Sequence, residues 1–163
     1  MRSVAILSLA VAAVVACAEP APPADGTPLA VRVTGSDHQW VVTYPGADGR
    51  LGTADDRRSR GELRVPERRA LRFELASRDF VYRFALPELD VNQIAVPDLT
   101  FDAEVAPLAR GRYRLLGDEL CGYAHESLIG ELIVDRGDDF EDWMRALPTG
   151  GTAGEIEDED SAS

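Results

Sequence analysis

The sequence predicts an all-β sandwich with one short C-terminal helix. Three observations carry this. Apolar residues alternate with polar ones in many short runs, turn residues and prolines separate those runs, and only one stretch has helical spacing. Leu29, Val31 and Val33 open the series, and Trp40, Val42 and Tyr44 follow with the same period of two. Leu71, Phe73 and Leu75 turn one face inward while Arg72 and Glu74 face out. Phe80, Tyr82, Phe84 and Leu86 repeat the pattern, which puts Tyr82 on the apolar face. Further strands are expected in Gln93–Val96, Leu99–Ala103, Tyr113–Leu116 and Leu132–Val134. Pro45, Pro66, Pro87, Pro97 and Pro107 fall at run ends, where a missing N–H does least harm. Phe140, Trp143, Met144 and Leu147 have helical spacing behind Asp138 and Asp139. Short strands in such number, with one helix, build a two-sheet sandwich.

The segment from Pro45 to Asp56 has Asp and Gly at spacings that could suggest calcium. It lacks the alternating ligands and terminal Glu of an EF-hand loop, so a long hairpin loop is expected. The arginines between Arg57 and Arg72 read as a solvated strand face rather than a binding stripe.

The N-terminus indicates export. Arg2 precedes an apolar run from Val4 to Ala16, too short to span a bilayer comfortably, which ends Val14-Val15-Ala16-Cys17. That ending resembles the lipobox of bacterial lipoproteins, in which the Cys is acylated and becomes the mature N-terminus. An ordinary cleaved signal with Cys17 incidental is the alternative. The expected divisions are a signal over 1–17, a Pro/Ala-rich tether over 18–28, one domain over 29–147 and a disordered acidic tail over 148–163. The net charge is −12, and removing Arg2 with the signal makes it slightly more negative. Such a surface argues against nucleic acid and suits a partner with basic patches.

The whole chain holds two Cys and two His. With Cys17 acylated, Cys121 has no partner for an internal disulfide, an unusual state for an exported thiol. It is either buried and inert or held by a metal. Cys121 and His125 lie four residues apart in a Gly-containing loop, and thiolate with imidazole suits copper.

Longer motifs identify a resemblance. Ser77 to Leu89 resembles the cytochrome c oxidase subunit II strand written S-A-D-V-x-H-S-F-W-V-P-E-L, and Val91 to Pro97 continues it in register. Leu116 to His125 is similar to the family's Q-C-A-E-L-C-G-x-x-H, and His38-Gln39-Trp40 to its G-H-Q-W. Phe140 to Leu147 resembles the helix that closes the domain. The likeness runs over about residues 35 to 147 and implies a cupredoxin-like Greek-key sandwich with a CuA-type metal site. That dinuclear centre uses two bridging Cys, two His, a Met and a backbone carbonyl. Here Tyr82 stands at the first His position, Gly117 at the first Cys and Leu128 at the Met. Cys121, His125 and Glu119 remain, so an intact CuA centre is not expected.

The resemblance also implies that Trp40 is where electrons enter from cytochrome c, and that His38 is not a ligand. No stretch of this sequence reads as the helical hairpin that anchors subunit II in the membrane, so a lipid on Cys17 is expected to serve in its place.

Three functions remain open. The first is a mononuclear copper site of Cys121 and His125, completed by Tyr82, Glu119 or water, serving electron transfer or copper handling. The second is a metal-free structural or docking module of a respiratory complex, with Tyr82 filling the vacated volume and bonding to His125. The third and weakest is hydrolysis by Cys121 and His125 as nucleophile and base. The chain is not expected to be an enzyme on its own. Its expected partners are a cytochrome c-like donor or an oxidase subunit, and the lipid membrane.

Overall fold

The computed structural model describes residues 26–119 and 125–150, apart from the Glu119 side chain. Ten strands and one helix make up the domain. They are β1 (Leu29–Ser36), β2 (Gln39–Tyr44), β3 (Arg57–Arg60), β4 (Leu63–Pro66), β5 (Leu71–Ser77), β6 (Tyr82–Leu86), β7 (Val91–Ala95), β8 (Phe101–Val105), β9 (Gly111–Glu119), β10 (Gly130–Asp135) and α1 (Gly137–Ala146). One sheet runs β3-β2-β1-β5-β8 and the other β4-β10-β9-β6-β7. The pairs β1/β5 and β4/β10 are parallel and the rest antiparallel, as expected when a chain crosses repeatedly between two layers.

Alternation builds the core. Every second residue of β1 and β5 is buried, with Val31, Val33, Phe73 and Leu75 wholly enclosed. They meet Tyr82, Phe84 and Leu86 of β6, Leu115 of β9 and Leu132 of β10. Full burial of a Val, Leu or Phe side chain contributes about 1.5–3 kcal/mol, so these facing rows hold the layers together. On the solvent face, Arg32 and Arg72 both bond to Glu74. Burial pushes the Glu74 carboxyl up, but the two guanidiniums outweigh it and hold it below the usual range.

The hairpin reading of Pro45 to Asp56 agrees with β2 pairing to β3. Inside the loop the Asp56 carboxylate accepts the Gly52 N–H at 2.7 Å, and the Asp55 carboxylate accepts the Thr53 hydroxyl at 2.6 Å. The arginine-rich stretch holds two strands, β3 and β4, whose cations bond outward. Arg64 reaches Glu62 and Asp135, and Arg57 reaches the carbonyl of Leu147.

The helix begins at Gly137, with Asp138 and Asp139 in its first turn and Arg145 in its last, a charge order that complements the helix dipole. Phe140 and Trp143 pack edge-on against Tyr44. The Tyr44 hydroxyl accepts the Arg64 N–H at 3.0 Å, and its full burial drives the phenol's pKa far up. Beyond the helix the chain stays paired to Gly150, through Arg58 to Pro148 and Gly150 to Asp56.

One expectation is corrected. Phe80 does not continue the inward face of Phe84 and Leu86. It lies before β6 begins and is 48% exposed.

Candidate metal centre

The site begins at the two-residue turn between β1 and β2. Ser36 pairs with Gln39, and the turn residues Asp37 and His38 have φ of 50° and 60°. Two successive left-handed residues match the twist of a tight hairpin, and Asp and His tolerate that conformation better than most. The turn is bonded to the start of β6. The Asp37 N–H donates to Asp79 Oδ2 at 2.7 Å, and the His38 N–H donates to the Tyr82 hydroxyl oxygen at 3.2 Å. That hydroxyl donates in turn to Asp79 Oδ1 at 2.7 Å. Burial pushes the Asp79 carboxyl up. The Tyr82 hydroxyl, the N–H groups of Asp37 and Phe80 and the nearby His38 together hold it below the ordinary range.

This bracing sets His38 against His125. The two imidazole centres are 4.0 Å apart with the planes tilted by 34°. Phe80 stacks on His38 at 5.2 Å, which accounts for its exposed position. A second tie comes from the other sheet's connection, where Ser127 Oγ donates to the His38 carbonyl at 2.5 Å. His125 directly precedes a 3₁₀ turn, Glu126–Leu128, whose Leu128 N–H bonds to the His125 carbonyl at 2.9 Å.

Behind the turn the interior is closed. Tyr82 is fully buried, and a Cβ on Gly35 would sit 2.2 Å from its ring, so only glycine admits the phenol there. At Gly117 a Cβ would lie 2.6 Å from the Leu128 carbonyl oxygen, 2.9 Å from Leu128 Cβ and 3.0 Å from Trp40 Nε1. The Trp40 indole N–H donates to that same Leu128 carbonyl at 3.1 Å, and the indole packs edge-on to Tyr82 and Phe84. A dinuclear CuA centre therefore does not fit these residues. By the motif resemblance Gly117 stands where the first sulfur would be, and it has no room even for a methyl group, while Leu128 stands where the methionine would be.

The predicted site residues fall into three groups. His125 and Tyr82 lie at one end of the sandwich, with the Tyr82 hydroxyl bonded to Asp79 and to His38. The backbone of Glu119 pairs with Tyr82, but its side chain lies outside the described residues, as do Cys121 and Cys17. Trp40 is 2% exposed, packed in the core beneath the site rather than presenting a face to solvent. Among the described residues, no three His, Cys, Asp or Glu side chains form a metal-binding group. No described helix is long and apolar enough to cross a membrane.

Sequence reasoning missed the contacts of Asp79 and Ser127, and it set His38 aside as a ligand. Asp79 lies three residues before Tyr82 in the matched strand motif, and that position was the only available signal. The contacts of Ser127 and His38 join residues 89 and 87 positions apart, which no local pattern reports.

No family model matches the chain. It is 29% identical over 149 residues to the alternative cytochrome c oxidase subunit 2 of Bradyrhizobium diazoefficiens, covering 78% of this chain and 53% of that protein. It is 31% identical over 117 residues to the cytochrome c oxidase subunit 2 of Thermostichus vulcanus, covering 72% of this chain and 33% of that protein. The chain thus spans about a third to a half of the curated relatives it matches. The fold is similar to the periplasmic domain of cytochrome oxidase subunit II of Bradyrhizobium japonicum. The TM-score is 0.61 at 21% identity, covering 77% of this chain and 95% of that one. In sequence and in fold the chain resembles the periplasmic, CuA-type cupredoxin domain of cytochrome c oxidase subunit II. The modest identities mark it as a divergent relative.

Proposed function

We propose that this chain is an exported cupredoxin-domain protein that binds one copper ion through Cys121 and His125. It would serve electron transfer or copper handling beside a haem-copper oxidase. The observation that carries the single ion is the closure of the Gly117 volume by Leu128 and Trp40. Without a second bridging sulfur there is no thiolate pair to compensate two coppers, whereas one thiolate and one imidazole suit one. Tyr82 supports the site, since its hydroxyl is engaged by Asp79 and the His38 N–H. Glu119 could add an oxygen ligand. Trp40, buried against Leu128, links the site to the core. Acylated Cys17 would hold the domain on the outer-facing side of a bacterial membrane, with an oxidase subunit or a cytochrome c-like protein as partner.

A second reading has support of its own. The packing around Gly117, Leu128 and Tyr82 is complete without metal, as a docking module of a respiratory complex would require.

Metal analysis with visible spectroscopy decides between the two. The copper reading expects one copper per chain and a thiolate charge-transfer band that Cys121→Ala abolishes. A chain that takes up neither Cu(I) nor Cu(II) leaves the docking module.

A further inference from the structure

We propose that His38 is a second metal ligand, so that His38 and His125 grip one copper ion between the β1–β2 turn and the loop before β10. The inference rests on the single-copper reading above and adds to it a ligand that the subunit II pattern does not use.

The two imidazoles come from opposite sheets and meet at 4.0 Å, although 87 residues separate them in the chain. Their meeting is built into the fold. His38 is held from one side by its N–H to the Tyr82 hydroxyl and from the other by its carbonyl to Ser127 Oγ. The neighbouring Asp37 N–H is fixed by Asp79, and Phe80 stacks on the His38 ring. These bonds fix the His38 backbone, and the stacked Phe80 ring narrows the imidazole's freedom, which lowers the cost of bringing ligands together.

The replacement at position 82 then has a physical logic. A phenol on β6 removes one imidazole from the site, and that same phenol holds the turn that presents another. Two imidazoles sharing one ion at about 2.0 Å from each nitrogen have centres about 5 Å apart, so this pair must open by about 1 Å. Both residues are only partly buried, and His125 lies at a loop end, so ring rotation can supply that movement. The carboxylate of Asp79, which acts electrostatically on His38, adds negative charge beside a bound cation. Two imidazoles favour Cu(II) over the other common divalent ions.

The test is a Cu(II) titration of the full chain at neutral pH, with nitrogen hyperfine couplings counted by electron paramagnetic resonance. The wild type should show two equivalent imidazole nitrogens. His38→Asn retains a residue suited to the left-handed turn, and should show one nitrogen and bind about tenfold or more weakly. A wild-type spectrum with one nitrogen overturns the inference whatever the variant does. So does a folded His38→Asn variant with unchanged affinity, and if Cys121→Ala still abolishes binding, the single-copper reading survives alone. A wild type that binds no copper overturns both.

Discussion

Two neighbouring regions of the domain are built in opposite ways. Around Gly117 the space is closed, with Leu128 and Trp40 pressed against a glycine that has no room for a side chain. At the β1–β2 turn, polar groups are braced by hydrogen bonds and two imidazoles face each other at a partly open end. An apolar core removes a missing ligand by close packing, because voids forfeit dispersion contacts. A turn at the surface can exchange one ligand for another, since water and neighbouring side chains tolerate polar groups there. The closed core therefore leaves no room for a side chain at position 117, while the partly open end keeps two imidazoles side by side.

The largest expected effect tests the closed region. Gly117→Ala should lower stability by about 2–3 kcal/mol in denaturant titration, because the new methyl meets a backbone carbonyl that cannot rotate away. A variant as stable as the wild type would mean that the region is loose enough to accept a ligand again.

A smaller effect is expected where the two regions meet. Tyr82→Phe removes the hydroxyl that joins Asp79 to the turn and should cost about 1 kcal/mol. It should also change the acid limb of stability. The Asp79 carboxyl is held below its ordinary value in the folded state. Its contribution is therefore present above the unfolded value of about 3.9 and lost as pH falls through the lower folded value. Without the hydroxyl the folded value rises toward the unfolded one, so the variant should lose less stability than the wild type on acidification below about pH 4. An equal acid slope in both proteins would separate Asp79 from Tyr82.

The smallest effect lies in the turn itself. Asp37→Gly keeps the N–H that donates to Asp79 and suits the left-handed φ of 50°. Stability should stay within about 0.5 kcal/mol of the wild type in thermal unfolding. A larger loss would show that the Asp37 side chain, and not the backbone alone, holds the turn.

The period-two runs of β1, β2, β5 and β6 and the helical spacing around Phe140 were legible in the sequence, because strand and helix periodicity are local properties of the chain. Motif likeness pointed to Tyr82, Gly117 and Leu128 as positions where the family has ligands and this chain has other residues, and to His125 as one it shares. Local pattern failed at Phe80, whose alternation agrees with β6 although its ring leaves the core to stack on His38. The family motif also set His38 aside as a ligand, because of its place beside Trp40. The pairing of His38 with His125, and the wedge of Leu128 and Trp40 against Gly117, were decided by the tertiary structure alone. Those contacts join residues from 11 to 88 positions apart across two sheets, and such distances follow from how the layers pack, which no short run of sequence encodes.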